Sequence, residues 1–197
     1  PIIAPYRIDL FNSLAKHYNS QICLFWRNLK DQTFDYRKIE EQFDFKPSYI
    51  VKEEMGFLKW MKEIWKKLNS SHPDIVLGSE FGISTIIIIL HKFVTKSHYK
   101  IVIINDDSYD MLVNNNQFTK RHARAVKTMM PLVDNVINVE PRVAAYNQQK
   151  YQKGIYFPII CNDVIAKKRL ECVLPISQNY VNKYQLKGKK VLLFVGR

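Results

Sequence analysis

"KIVIIND" (residues 100–106) sets four consecutive branched apolar residues, Ile101 to Ile104, between a lysine and the carboxylates Asp106 and Asp107. The run does not alternate, as a strand wetted on one face would, and it is too short for a helix. It reads as a strand covered on both faces, the usual state of a parallel sheet. Similar runs lie on either side: "ICLFW" (22–26), "SYIV" (48–51) and "DIVLGS" (74–79) before it, then "NVINV" (135–139), "YFPII" (156–160) and "KVLLFV" (190–195). Helical periodicity fills the gaps at 7–18, 57–69, 82–96, 118–133, 141–151 and 175–186. Strands alternating with helices predict an α/β fold, a Rossmann-like doubly wound parallel sheet. The polar stretch "KYQLKGKK" (183–190), with Gly188, predicts a boundary. Residues 1–186 then form one domain, and 187–197 a linker and the first strand of a second.

Composition narrows the partners. Thirty basic residues against eighteen acidic give a net charge of +12, which favours anionic partners without choosing among them. Cys23, Cys161 and Cys172 fit neither a disulfide framework nor a zinc pattern, so a reduced, cytoplasmic setting is expected. "ISTIIIILH" (83–91) is too short to cross a bilayer. The chain opens on "PII" without a methionine, like the tail of a strand, so a chain cut at both ends is expected.

Ligands of open parallel sheets bind beyond the carboxyl ends of the strands. Five loops stand there, "APYR" (4–7), "GSEFG" (78–82), "NDDSYD" (105–110), "VEPR" (139–142) and "CND" (161–163), and the first three carry candidate groups. Tyr6 and Arg7 open the first helix, where a guanidinium fork suits a carboxylate or phosphate. "GSEFG" (78–82) offers Gly78, Ser79 and Glu80 at a helix start, where free N–H groups bind anions or hydroxyls. "NDDSYD" (105–110) offers Asn105, Asp106 and Asp107. Two adjacent carboxylates can act as acid or base, hold hydroxyls or bind a divalent metal. Each loop also has a structural reading, as a solvated first turn, a chain reversal or a helix cap.

Two helices are strongly basic. "FLKWMKEIWKKL" (57–68) sets Phe57, Leu58, Met61, Ile64, Trp65 and Leu68 on one face, with Lys59, Lys62, Lys66 and Lys67 off it. "FTKRHARAVKTMM" (118–130) concentrates Lys120, Arg121, His122, Arg124 and Lys127, with Arg142 further on. Basic helices of this kind suit an anionic bilayer surface, with Trp60 entering the headgroup region. His17, His72, His91 and His98 lack metal-ligand spacing. The chain has no GxSxG elbow, Walker loop, early GxGxxG or RNP pattern.

Taken in order, "PYRIDLFNSLA" (5–15), "PDIVLGSEF" (73–81), "YFPIICND" (156–163) and "KVLLFVGR" (190–197) resemble segments of bacterial family 4 glycosyltransferases. The resemblance implies the N-terminal, acceptor-binding half of a GT-B fold, which faces a nucleotide-sugar domain across a cleft. It implies acceptor contacts from Tyr6, Arg7, Gly78, Ser79, Glu80 and Asn105, and donor-phosphate contacts from Gly196 and Arg197; Asp106 and Asp107 are the catalytic candidates by their position at the strand end, and the metal-free chemistry of GT-B enzymes favours them as hydroxyl binders. It further implies a nucleotide-sugar as co-substrate, neither cofactor nor metal, and a retaining hexosyl transfer to a glycan or lipid-linked acceptor in cell-surface polysaccharide assembly. The truncated chain alone is expected to be inactive. One departure is plain. Many relatives carry His or His-Asp after the strand equivalent to 101–105, where Asn105, Asp106 and Asp107 stand here. Two alternatives compete: a metal-dependent GT-A transferase using "DDSYD" (106–110), and a non-enzymatic basic module for membranes or nucleic acid. On the transferase reading nucleic acid is not a partner, and the enzyme works in the cytoplasm at the inner face of the membrane.

Overall fold

Helix and strand alternate along most of the chain in the computed structural model, which describes residues 4–25, 35–50, 56–114, 120–160 and 162–192. The chain divides into two compact units, Pro1–Ile159 and Ile160–Arg197.

In the first unit a 3-10 turn, Pro5–Arg7, leads into α1 (Ile8–His17), and proline suits that start because its missing N–H would have no partner there. Then come β1 (Cys23–Leu24), α2 (Tyr36–Glu40) and β2 (Ser48–Tyr49), the two strands pairing in parallel. The remainder is α3 (Phe57–Ser71), β3 (Ile75–Ser79), α4 (Ile83–Thr95), β4 (Lys100–Asn105), α5 (Tyr109–Asn114), α6 (Lys120–Met129), β5 (Asn135–Asn138), α7 (Pro141–Tyr151) and β6 (Ile155–Tyr156). These four strands form a parallel sheet in the order β3-β4-β5-β6. The helix expected over 118–133 is shorter: α6 stops at Met129, and Pro131 sits in a 3-10 turn, Met130–Leu132.

The sheet is covered unequally. Ile101, Ile103 and Val136 are fully buried and share one core with Ile64 and Leu68 of α3, Ile87 to Ile89 of α4, and Val126 and Met129 of α6. On the other face Ile75 is 58% and Leu77 43% exposed. Cover on both faces was expected from the unbroken apolar runs. Successive parallel crossovers share one hand, however, so the helices joining β3, β4 and β5 gather on one side. A second cluster joins Ile8 of α1, Ile39 of α2, and Ile22 and Leu24 around β1.

Two corrections concern α3. Leu58, expected on its buried face, is 72% exposed. Trp60, expected at a lipid headgroup, stacks on Phe25 with centroids 5.0 Å apart and packs against the core. The side chain of Phe57 lies outside the described residues.

Asp134 ties the starts of β4 and β5 together. Its Oδ2 accepts the Ile101 N–H at 2.8 Å and the Lys92 ammonium at 3.0 Å, and Lys100 approaches Oδ1 at 3.2 Å. Partial burial pushes the carboxyl pKa up, but the Ile101 N–H and the two lysines outweigh it and hold the pKa at about 2. A carboxyl depressed in the folded state adds stability above its ordinary pKa and loses it as pH falls through the folded value. This contribution is therefore expected to fade between about pH 4 and about pH 2. In urea titrations across that window, the stability gap between wild type and Asp134→Asn should shrink towards its acid limit. A constant gap would show that the carboxylate is not what the lysines and the N–H hold.

Lys153 closes the end of α6, donating to the carbonyls of Met130 at 2.9 Å, Pro131 at 3.1 Å and Val133 at 2.6 Å.

The second unit contains α8 (Asp163–Lys183), longer than the helix expected over 175–186. Its start is fixed by the Asn162 side chain, which accepts the Ile165 N–H at 3.1 Å, with Asp163 in the first turn. Pro175, expected near the beginning, lies inside the helix. The strand expected over 190–195 falls mostly outside the described residues, and Lys190 to Leu192 form none. Gly196 and Arg197 lie outside them altogether. No described helix is long and apolar enough to cross a membrane.

Candidate active site at the carboxyl edge of the sheet

β3 and β4 end in register, Ser79 beside Ile104, so the loops after them emerge side by side. Glu80 continues the ladder with its N–H on the Ile104 carbonyl at 3.0 Å, in a left-handed conformation with φ 58°. That geometry costs a non-glycine residue about 1 kcal/mol or more and persists only where neighbours enforce it. Here the buried Thr85 hydroxyl donates to the Glu80 carbonyl at 2.6 Å. Gly78 has a packing role, since a Cβ there would lie 2.8 Å from Ile103 Cδ1 and 3.3 Å from Thr85 Oγ1.

Asn105 ends β4 and is 2% exposed, and its Oδ1 is buried with no donor among the described residues. Asn138, its cross-strand neighbour on β5, is satisfied, accepting the Asn147 amide at 3.0 Å. A buried amide oxygen left open is costly, typically about 1–3 kcal/mol, and such atoms concentrate where a ligand or water completes the bond.

Beyond Asn105 the two carboxylates part. Asp106 forms an ion pair with Arg7, 99 positions earlier, the Arg7 side chain being 16% exposed. The Arg7 guanidinium also lies 5.8 Å from the Tyr6 ring centroid. Asp107 lies instead against His122 of α6, Oδ2 to Nε2 3.3 Å. Adjacent carboxylates sharing one site would repel; here Asp106 faces Arg7 and Asp107 faces His122. A carboxylate at that distance accepts a hydrogen bond from Nε2 when that nitrogen carries a proton.

The loop after β5 completes the edge. Glu140 Oε2 accepts the Tyr109 N–H at 2.7 Å, and Oε1 accepts the Arg142 Nε at 2.6 Å. The Arg142 guanidinium lies 4.9 Å from the Tyr109 ring centroid. The Tyr109 N–H holds the Glu140 carboxyl below its usual range, and Arg142 assists against partial burial. Among the described residues no three His, Cys, Asp or Glu side chains converge as a metal site would require.

The structure thus pairs Arg7 with Asp106, with Tyr6 beside the Arg7 guanidinium, and sets Ser79, Glu80, Asn105 and Asp107 along the same carboxyl edge. Sequence reasoning gave no role to Glu140 and counted His122 only as one charge in a basic run. The sole signal for His122 was a histidine 15 residues after a carboxylate pair, before the next strand. Such an edge, with two carboxylates, an imidazole against one of them and an amide oxygen that has no donor among the described residues, is equipped to bind hydroxyl groups and move a proton.

No protein-family model matches the chain, and no curated protein does. Solved structures do share its fold. One is a UDP-N-acetylglucosamine 2-epimerase, with TM-score 0.53, 14% identity, and coverage of 78% of this chain and 44% of that one. Another is the UDP-GlcNAc 2-epimerase of Neisseria meningitidis bound to UDP-GlcNAc, with TM-score 0.53, 15% identity, and coverage of 92% of this chain and 50% of that one. The chain therefore spans about half the length of these proteins. At such identities the likeness shows the fold: a Rossmann-like α/β half-domain of the GT-B kind.

Proposed function

We propose that the chain is the acceptor-binding half of a two-domain sugar-nucleotide enzyme, a glycosyltransferase resembling family 4. The observation that carries this reading is the junction of Arg7 with Asp106, beside the open Oδ1 of Asn105. The motif "PYRIDLFNSLA" (5–15) and the loop after residues 101–105 meet there, as an acceptor site would need. Structural neighbours that are UDP-GlcNAc 2-epimerases support sugar-nucleotide chemistry at a coarser level.

In this reading Asp106, oriented by Arg7, accepts hydrogen bonds from acceptor hydroxyls. Tyr6, Ser79 and Glu80 line the approach. Asn105 Oδ1 accepts from a ligand group or an ordered water. The Asp107–His122 pair holds or moves the proton of the attacking hydroxyl, Asp107 fixing the ring. The donor is a nucleotide-sugar bound by a second half, and Gly196 and Arg197 contact its phosphates. The acceptor is a glycan or lipid-linked sugar of cell-surface polysaccharide, on the cytoplasmic side of the membrane.

The longer protein carrying this chain, incubated with a UDP-sugar and a glycan acceptor, should release UDP and yield a glycosylated acceptor. The 197-residue chain alone should turn over no nucleotide-sugar. Appearance of an epimeric UDP-sugar without acceptor would overturn the transfer reading in favour of epimerisation. Turnover by the chain alone would overturn its assignment as an acceptor-binding half.

A further inference from the structure

The outward side of α4 carries no polar residue. Ile83, Ile86, Leu90, Phe93 and Val94 fall within one arc of about 100°. All five are exposed, from 40% at Ile86 to 68% at Val94. The opposite side, with Thr85, Ile87, Ile88, Ile89 and His91, is buried. A surface helix ordinarily turns charged residues outward, and one apolar all round has a second apolar environment to enter. From residue 83 to 94 the stripe runs about 16 Å, far short of a bilayer core of about 30 Å, so it can lie along an apolar layer but not cross one.

The neighbouring helix shows what that layer is. α3 packs beside α4, the Trp65 ring meeting His91 edge-on with centroids 4.8 Å apart. The outward residues of α3 include Leu58, Lys59, Lys62 and Lys66, all exposed. Lys96, also exposed, caps the end of α4. Glu63 is the only acid in α3, and α4 has none. An apolar stripe thus runs beside a ridge of lysines. Two copies joined through α4 would bring two such ridges together in a chain of net charge +12. An anionic surface would neutralise them instead.

We propose that the outward face of α3 and α4 docks on an anionic lipid bilayer, with the α4 stripe in the interfacial layer and the α3 lysines over the headgroups. This surface rests on α3 and α4 alone and holds whatever reaction the carboxyl edge performs.

The test is sedimentation of the 197-residue chain with vesicles of phosphatidylcholine, with and without phosphatidylglycerol. Binding is expected to the anionic vesicles only, weakened by salt. Reversing Lys59, Lys62 and Lys66 together to Glu should weaken it by on the order of a hundredfold or more. Leu90→Ser with Phe93→Ser should weaken it roughly tenfold or more, and because both side chains are exposed, thermal unfolding should stay near wild type. Phe93→Trp should give a blue-shifted emission with anionic vesicles. No binding, or binding untouched by the α4 changes, overturns the proposal. A concentration-dependent dimer abolished by Leu90→Ser and Phe93→Ser would assign the face to a second copy and overturn it equally.

Discussion

Gly154→Ala is expected to destabilise the first unit by about 3 kcal/mol, because its added methyl makes the tightest contact among the described glycines. Gly154 lies between α7 and β6, where the chain turns back against the helix it has just left. A Cβ on it would sit 2.3 Å from the Ala144 carbonyl oxygen and 2.8 Å from the Gln148 nitrogen. Both are backbone atoms inside α7, so no rotamer change can make room. The helix is fixed in turn: Val143 and Ala144 are buried, and Asn147 holds Asn138 of β5. Making room would shift α7 from β5 or pull β6 from the sheet edge. Gly82→Ala is the control, because nothing lies within 4 Å of its added methyl and only a change in helix capping of about 1 kcal/mol or less follows. Urea unfolding of the two variants beside wild type measures both effects. Equal stabilities would mean that the α7–β6 turn is not held as tightly as its geometry requires.

The elements were largely legible because periodicity is local. Unbroken runs such as residues 100–106 locate a parallel strand, and α1, α3, α4 and α7 lie within about two residues of the spans their apolar spacing marks. What failed was whatever depends on partners distant in sequence. Leu58 belongs to the apolar face of α3 by spacing, yet it is exposed, with no described element over it. Trp60 lies off that face by spacing, yet Phe25 is beside it. The helix expected over 175–186 starts earlier, at Asp163, where the Asn162 side chain accepts the Ile165 N–H. At the site, strand ends predicted the loops but not the pairings. Nothing local says that Arg7 meets Asp106 rather than a ligand, or that Asp107 turns to His122. Those choices follow from which loops the parallel sheet lays side by side.

Asp106→Asn in the proposed two-domain enzyme is expected to lower turnover by about a hundredfold or more, and the Arg7 pair makes the cause separable. The amide keeps the shape of the carboxylate but cannot balance the guanidinium. Arg7, 16% exposed, would then keep a largely buried charge without its anion. Asp106 is itself one-third exposed, so solvent screens part of the loss, and about 1–2 kcal/mol of stability is expected to go. Arg7→Met alone leaves the carboxylate unpaired and should cost a similar amount. In the double variant neither charge remains, and most of the stability should return. If Asp106 serves only to anchor the loop before α1, turnover returns with it. If Asp106 binds the acceptor hydroxyl, stability returns while turnover stays low, because no carboxylate faces the substrate. The second outcome is expected. Recovery of both together in the double variant would reduce the Arg7–Asp106 pair to a structural clasp and move the chemistry to Asp107 and His122.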